Sequence, residues 1–399
     1  MRKLTHVSKI AVSLWGQRVG TIIPTLKQGY YAFQYDKAFV RDGVAIAPLM
    51  MPLRNEPYYF SDLPIGEYYG LPPVFADSLP DTFGSQLIDH WLQAHGFDRR
   101  MITPLDRLAY LGRRGVGALT YEPAYAVERK SAVALDLRAL VEEAKQTLNG
   151  ELLLADGHSA LRQILRVGTS AGGAQAKAVI GWNRQTNTFA LGDGELPEDF
   201  EHWIIKFTPP SCPWRGEMEY AVAQKAKAAG VDMSEVYLYE LDGLKHFMTR
   251  RFDRAAAQRH HVQTLSAIAH FPTSVPLNFR TYEQLFQTAE ALQLGYATQE
   301  QLFRRVVFNV AIGECDDHTK NISFMLKQGE DWTLAPAYDL TGSGYPSSDP
   351  WNAHAGRHQL SVNGKFEKIE KTDLLALAER FAIGTGERLI EEVFTSLRC

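Results

Sequence analysis

The amino-acid sequence predicts an α+β fold in which a β-rich amino-terminal domain precedes a core of two lobes, one small and β-rich and one larger and helical. Three observations support this prediction. Polar and apolar residues alternate in short stretches over residues 9–60, as in strands joined by turns. Strand-like stretches return over residues 178–251, and after Thr281 the apolar spacing is mainly helical. We place the three units at residues 1–128, 129–260 and 261–399.

The composition excludes several classes of protein. Of the 399 residues, 45% are hydrophobic and 22% are charged, which is ordinary for a globular chain. A formal net charge of −4 offers no basic surface for nucleic acid. The cysteines, Cys212, Cys315 and Cys399, are too few and too far apart for a disulfide framework and fit a reducing compartment. Neither a signal peptide nor a membrane-spanning apolar run is evident. We therefore expect a cytoplasmic enzyme.

The amino-terminal domain is predicted to contain strands at Lys9–Leu14 and Val19–Ile23, separated by a turn at Gly16-Gln17. Helical spacing follows at Asp81–His95, where Asp81 is placed to cap the first turn. A strand at Gly115–Pro123 closes this domain.

The elements of the core follow in chain order. Two helical patterns, Leu135–Leu148 and Ser159–Leu165, flank the turn signal Asn149-Gly150. The predicted strands of the small lobe are Ala178–Trp182, Thr188–Leu191, His202–Phe207, Val236–Leu241 and Leu244–Arg251, with a helix at Glu217–Ala229. In the helical lobe, the helix Phe303–Ile312 is followed by a hairpin within Asn321–Leu334.

A glycine-rich stretch, RVGTSAGGAQAKAVIGW at residues 166–182, is open to three interpretations. Residues 168–172 match G-x-S-x-G, the nucleophile elbow of serine hydrolases, but an elbow needs a helix after the serine and residues 174–182 favour a strand. A Walker A loop would have lysine where Ala174 stands. What remains is a glycine loop whose N–H groups hold anionic oxygens, or an ordinary hairpin turn. The loop residues considered for phosphate binding are Gly168, Thr169, Ser170, Ala171, Gly172, Gly173, Ala174, Gln175 and Lys177.

A second motif, GECDDHTKN at residues 313–321, favours the phosphate-binding interpretation. Asp316 and Asn321 are five residues apart, the spacing of the catalytic aspartate and the metal-binding asparagine in protein kinases. The predicted hairpin then leads to Asp339, a second carboxylate. Phosphoryl transfer needs a carboxylate to receive the hydroxyl proton and oxygen ligands for Mg²⁺. Each residue alone is better explained as a solvated loop residue or a helix cap, but their order together indicates a kinase.

Lys206 lies in the apolar strand WIIKF, where a buried lysine requires an anionic partner. Glu219, at the start of the next predicted helix, is the obvious candidate. Such a pair repeats the strand-lysine and helix-glutamate pair that positions phosphates in kinases. The alternative is a lysine at a strand edge that reaches solvent.

Taken together, these motifs resemble those of the HipA family, the serine/threonine kinase toxins of bacterial toxin–antitoxin systems. The resemblance covers nearly the whole chain. The motifs that carry it are SLPDTFGSQLIDHWL at 78–92, GVGALTYEP at 115–123, S-x-x-G-A-Q-x-K at 170–177, HWIIKF at 202–207, RRFDR at 250–254, DDHTKN at 316–321, AYDL at 337–340 and LSVNGKFEKIEKTDLLALAERF at 360–381.

The resemblance implies a protein-kinase-like core that uses ATP and Mg²⁺. Asp316 would be the catalytic aspartate, and Asn321 and Asp339 would bind Mg²⁺. His318 and Lys320 would complete the catalytic loop by contacting the phosphates or Asp316.

The remaining implied roles concern the nucleotide. Lys206, paired with Glu219, would contact the ATP phosphates, and Phe252 would lie near the adenine at the hinge. Ser170 matches the autophosphorylated serine of the family, whose modification is associated with an ejected loop and loss of activity. Family members also have a DNA-binding antitoxin partner and phosphorylate aminoacyl-tRNA synthetases, so we expect a protein substrate and contact with DNA mainly through a partner.

Two residues depart from the family pattern. Asp317 stands where many members have glycine, and an extra carboxylate beside the base could alter its pKa or the metal site. Cys315 is either an oxidation point or a small buried residue. Other functions also stay open: a kinase of a small molecule or of a phosphoinositide-like substrate, or a pseudokinase that only binds an antitoxin. No basic membrane-binding stretch supports a lipid substrate, and no residue required for kinase activity is missing.

Overall fold

The computed structural model describes residues 4–80, 82–125, 135, 137, 138, 176–192, 195–255, 258–276, 279–342 and 356–398. The helical patterns predicted at 135–148 and 159–165 lie almost entirely outside the described residues, as do Asp81 and the loop residues 168–175.

The amino-terminal domain is built on a five-stranded antiparallel sheet. Its strands are β1 (Ile10–Leu14), β2 (Gln17–Pro24), β3 (Tyr31–Tyr35), β4 (Tyr58–Tyr59) and β5 (Leu119–Glu122). Their spatial order is β4-β3-β2-β1-β5, so β5 returns from late in the domain to pair with β1. Trp15 and Gly16 join β1 to β2 with positive φ angles of 50° and 82°, as a two-residue hairpin turn requires.

Short helices pack against this sheet. They are α1 (Lys37–Asp42), α2 (Ile65–Tyr68), α3 (Pro73–Ala76), α4 (Thr82–Ala94) and α5 (Pro104–Leu111). The start of α5 is fixed by a capping box: the N–H of Asp106 donates to Thr103 Oγ1 at 3.2 Å, and the N–H of Thr103 donates to Asp106 Oδ2 at 2.9 Å.

The small lobe contains a second five-stranded antiparallel sheet and one long helix. The elements are β6 (Lys177–Asn183), β7 (Thr188–Leu191), β8 (Glu201–Lys206), α6 (Arg215–Ala228), β9 (Val236–Leu241) and β10 (Leu244–Arg250). The order β7-β6-β8-β10-β9 puts β8 at the centre of the sheet. A central strand is largely buried, which explains why WIIKF is apolar. Lys206 is the last residue of this strand.

The large lobe is mainly helical, with short strands at its contact with the rest of the chain. The elements are β11 (Arg254–Ala255), β12 (Gln258–Arg259), β13 (His261–Thr264), α7 (Leu265–Ile268), α8 (Tyr282–Ala291), α9 (Gly295–Ile312), β14 (Ser323–Leu326), β15 (Trp332–Leu334), α10 (Lys371–Arg380) and α11 (Gly386–Ser396). Helix α9 ends at Gly313, which takes the left-handed conformation (φ 62°) and releases the chain into the GECDDHTKN loop. None of the helices in the described ranges is long and apolar enough to cross a membrane.

Most predicted strands and helices are found within one or two residues of their expected bounds, and the α+β prediction is confirmed. The strand predicted at Gly115–Pro123 is shorter, because only Leu119–Glu122 pairs with β1. The backbone of Gly115 and Gly117 instead contacts Arg254 and Asp253, so these residues serve as a contact with the core.

Most of the buried apolar residues in the described part of the chain fall into two clusters. One continuous buried cluster joins the amino-terminal domain to the small-lobe sheet, and a second cluster fills the large lobe. The first contains Ile10, Phe33 and Leu108 of the amino-terminal domain together with Trp203 and Met248 of the small lobe. The amino-terminal domain and the small lobe therefore share one apolar core.

Polar contacts join the amino-terminal domain to the large lobe. Asp77 accepts hydrogen bonds from the backbone N–H of Thr264 at 2.7 Å and from its hydroxyl at 2.9 Å. The hydroxyl of Tyr68 donates to the carbonyl of Ser266 at 3.0 Å. The amino-terminal domain is thus fixed to both lobes of the core.

Candidate functional site

Lys206 is the centre of a buried charge cluster between the two lobes. It ends β8, where its Nζ contacts Oε1 of Glu219 on α6 and Oδ1 of Asp339. Lys206 is 8% exposed and Glu219 is 2% exposed, so the pair is shielded from water. The predicted lysine–glutamate pair is therefore present. The contact with Asp339, which the sequence did not predict, makes the cluster three-membered.

The charges of this cluster are set by burial and by neighbours. Burial would lower the pKa of Lys206, but the carboxylates of Asp339 and Glu219 raise it above its usual value, so the ammonium stays protonated. Burial would raise the pKa of Asp339, but Lys206, followed by Lys177 and His318, lowers it to about 2. The pKa of Glu219 is raised because burial outweighs the attraction of Lys206. The Asp339 carboxylate is consequently ionised at neutral pH.

Lys177 brings a second ammonium group to the same end of the sheet. It lies directly opposite Lys206 in the pairing of β6 with β8, so the two side chains share one face. Lys177 is buried, and its charge helps to lower the pKa of Asp339. It is the first residue of β6 and lies four residues after Gly173.

The loop between α9 and β14 brings Asp316 and Asn321 together. The Nδ2 of Asn321 donates to the carbonyl of Asp316 at 2.9 Å, which fixes the orientation of the asparagine amide. His318 lies beside both residues of the motif, with its Nε2 3.7 Å from Oδ1 of Asp316. The Lys320 side chain is exposed, while its carbonyl accepts from the hydroxyl of Tyr338 at 2.7 Å. Asp316 itself is half-exposed.

Glu314 is a buried residue that the sequence reasoning overlooked. Its Oε1 accepts from the N–H of Asp316 at 3.0 Å, and its Oε2 accepts from the N–H groups of Thr341 and Gly342 at 2.5 and 2.7 Å. One side chain therefore ties the loop that carries Asp316 to the segment that carries Asp339. The signal available in the sequence was an acidic residue in a loop that follows directly on a buried helix.

Asp317 faces the interior of the large lobe. Its Oδ2 accepts from the hydroxyl of Tyr282 at 2.7 Å and lies 2.8 Å from Nδ1 of His358. Its Oδ1 accepts from the N–H of Gln359 at 2.7 Å. The extra carboxylate expected beside Asp316 is therefore held by hydrogen bonds within the large lobe.

Cys315 is a buried residue of the same loop. Burial, with the nearby charge of Asp317, raises the pKa of its thiol to about 11. The thiol is therefore protonated at neutral pH and poorly suited to oxidation, so of the two interpretations the structure favours a small buried residue.

Phe252 lies at the junction of the lobes. Its ring stacks on Tyr338, the residue before Asp339, with a centroid separation of 5.7 Å. On either side of it, Arg251 and Arg254 bind the buried carboxylate of Asp253 at 2.7 and 2.6 Å. Buried ion pairs therefore anchor the RRFDR segment. The segment holds Phe252 against Tyr338, the residue that precedes Asp339 of the charge cluster. The proposed loop residues 168–175 lie outside the described residues, so of the residues considered for phosphate binding in this stretch the structure describes Lys177.

A β-sheet lobe with a lysine–glutamate pair, facing a helical lobe with an Asp-x-x-x-x-Asn loop, defines a protein-kinase-like fold. Residues 169–398 match the family model of the HipA-like C-terminal domain, and residues 10–122 match that of the HipA N-terminal domain. Because the first match alone covers more than half of the chain, this protein belongs to the HipA family.

Individual relatives agree with this assignment. The chain is 24% identical to "Putative kinase Y4dM" of Sinorhizobium fredii, over 97% of this chain and 91% of that protein. It is 25% identical to "Putative kinase Y4mE" of the same organism, over 84% and 78%. Its fold is similar to that of a chain in the Shewanella oneidensis MR-1 complex of HipA, HipB and operator DNA, with a TM-score of 0.67 and 16% identity over 97% of this chain and 87% of that one.

Proposed function

We propose that this protein is an ATP- and Mg²⁺-dependent serine/threonine protein kinase that acts as the toxin of a toxin–antitoxin system. The observation that carries the proposal is the cluster in which Lys206 contacts both Glu219 and Asp339, next to the loop that holds Asp316 and Asn321. Kinases use this combination of residues to position the phosphates of ATP and its metal ion.

The residues present fit a magnesium nucleotide. Asp339 offers an ionised carboxylate, and Asn321 uses its amide nitrogen on Asp316, which leaves an amide oxygen as the ligand type that Mg²⁺ prefers. One carboxylate and one amide are few protein ligands, but Mg²⁺ in such sites completes its shell with phosphate oxygens and water. Lys206 and Lys177 supply the positive charge that a triphosphate requires.

In the proposed reaction, bound MgATP supplies the phosphoryl group. Asp316 would orient the substrate hydroxyl and accept its proton as that oxygen bonds to the γ-phosphorus, while the bond from the γ-phosphorus to the β–γ bridging oxygen breaks and ADP leaves. Lys206 stabilises the negative charge of the phosphates and is held in place by Glu219. Phe252 lines the adenine side of the cleft, and His318 and Lys320 stabilise charge near the transferred group.

Ser170 is proposed as an autoinhibitory phosphorylation site. A phosphate adds roughly −1.5 to −2 charges, which would repel the phosphates of ATP if the glycine-rich loop covered them. Modification of Ser170 would therefore favour an open loop and weaken ATP binding.

For partners we propose a protein substrate, such as an aminoacyl-tRNA synthetase, and a DNA-binding antitoxin. The structural relative was solved with HipB and its operator DNA, which supports a partner of that kind. Since this chain has a net charge of −4, contact with DNA is expected to come mainly through the antitoxin.

The proposal is tested by brief expression of the wild type and of Asp316→Asn, followed by phosphoproteomics, with Asp331→Asn in the exposed β14–β15 turn as a matched control. We expect growth arrest, new phosphoserine or phosphothreonine in a translation protein and phosphate on Ser170 for the wild type and the control only. Asp339→Asn should lose transfer as well, because it removes the ionised metal ligand. Equal phosphorylation by wild type and Asp316→Asn would refute the assignment of this loop.

A further inference from the structure

Gln359 contacts the catalytic loop although it lies far beyond it in the chain. Its side-chain Nε2 donates to Oδ1 of Asp316 at 2.9 Å. The donor reaches the carboxylate that we propose as the proton acceptor, and the residue belongs to none of the motifs that identified the site.

The position of Gln359 is fixed by Asp317. The backbone N–H of Gln359 donates to Oδ1 of Asp317 at 2.7 Å, and the Asp317 side chain is fully buried. The other oxygen of Asp317 is held by the hydroxyl of Tyr282, which itself accepts from Nδ2 of Asn309 at 3.0 Å. A carboxylate with this many partners has a defined orientation, so the backbone of Gln359 has one too.

We propose that Gln359 is a positioning residue for Asp316, and that Asp317 acts on the reaction through Gln359. This inference rests on the proposed kinase function. The orientation of a half-exposed carboxylate depends on the groups that bind its oxygens. An amide donor on Oδ1 fixes the plane of the carboxylate and hence the direction in which Oδ2 accepts the proton of the substrate hydroxyl. Because proton transfer requires a heavy-atom distance of roughly 2.6–3.2 Å, a loss of this orientation lowers the rate of the chemical step.

The test uses three single variants and one double variant of the full-length chain. Gln359→Leu keeps the backbone N–H and a side chain of comparable volume but removes the donor. Gln359→Glu places a carboxylate against Asp316. Asp317→Asn weakens the acceptor of the backbone N–H of Gln359. The double variant combines Asp317→Asn with Gln359→Leu. Gln301→Leu is the matched control, because Gln301 is a glutamine of the same lobe whose amide donates to the carbonyl of Gly230, away from the site.

Transfer from MgATP to the chain itself and to dephosphorylated casein is measured, with the KM for ATP and the melting temperature of each variant. We expect kcat to fall about 10- to 100-fold in Gln359→Leu and further in Gln359→Glu, with the KM for ATP within about twofold of wild type. Gln301→Leu should keep the wild-type kcat. The double variant should be no slower than Gln359→Leu, because Asp317 acts through Gln359.

The outcomes separate this inference from the proposed function. An active wild type with an unchanged kcat in Gln359→Leu would overturn the positioning role and leave the kinase proposal intact. A fall in kcat accompanied by an equal rise in the KM for ATP, or matched by Gln301→Leu, would show a general structural defect and would also overturn it. A folded wild type that transfers no phosphate to either acceptor would overturn both.

Discussion

At the scale of single residues, Asp339 combines an unusual backbone with an unusual set of contacts. Its φ of 57° lies in the left-handed region, which aspartate tolerates better than most residues. The contact with Lys206 and the bonds from Thr341 and Gly342 to Glu314 hold this conformation from both sides. Such a conformation persists only where neighbours determine it, and it is frequent at functional sites.

Replacing Lys206 by Met tests the charge cluster. The variant keeps an apolar stem but removes the cation that contacts both carboxylates, so we expect transfer to fall at least about 100-fold and stability to fall by about 3 kcal/mol. Glu219→Gln should show a milder loss of transfer, since Lys206 keeps Asp339. Lys245→Met is the matched control, because Lys245 joins β10 to Glu217 on α6 by an exposed pair at 2.5 Å. Unchanged ATP kinetics in Lys206→Met and Glu219→Gln would contradict the assigned role.

At the scale of elements, the site depends on the loop between α9 and β14 and on the segment after β15. Glu314 joins the loop and the segment by accepting N–H donors from both.

Glu314→Gln removes one of the two carboxylate acceptors. We therefore expect the free energy of unfolding to fall by about 2 kcal/mol and kcat to fall about 10-fold. Thermal unfolding and transfer assays measure the two effects. Glu330→Gln, in the exposed β14–β15 turn, is the control. If Glu314→Gln behaved like this control in both assays, the connection made by Glu314 would be dispensable.

The sequence predicts a strand or a helix well where a local pattern of residues determines it. Apolar periodicity located β8, β9 and α6, and the cost of a buried lysine predicted its pairing with Glu219. The contacts of Asp339, Glu314 and Asp317 could not be predicted in this way. They depend on contacts between residues far apart in the chain, and no local pattern in HQLSV indicates that Gln359 reaches Asp316.

At the scale of the whole molecule, Asp253 lies where the amino-terminal domain, the small lobe and the large lobe meet. Its carboxylate accepts from Arg251, Arg254 and the N–H of Gly117, the last at 2.8 Å. Burial would raise the pKa of Asp253, but the two arginines hold it well below its usual value. Its stabilising effect is therefore complete above about pH 4, near the pKa of the unfolded chain, and declines as the pH falls further.

Asp253→Asn should destabilise the protein by about 3–5 kcal/mol at neutral pH, because it leaves two buried guanidinium groups without their anion. The deficit relative to wild type should shrink as the pH is lowered below about 4. Chemical unfolding at several pH values measures both effects. Asp242→Asn, in the exposed turn between β9 and β10, is the control, and an equally small effect of both substitutions would contradict the anchoring role.

The apolar cluster shared by the amino-terminal domain and the small lobe also has a consequence for synthesis on the ribosome. Strand β1 emerges first, yet its partner β5 and the packing residues Trp203 and Met248 are made much later. The first domain therefore remains incompletely packed until more than half of the chain has been translated, and its apolar residues stay accessible to chaperones during that time. A chain that stalls before β10 therefore has neither a completely packed first domain nor a finished small-lobe sheet.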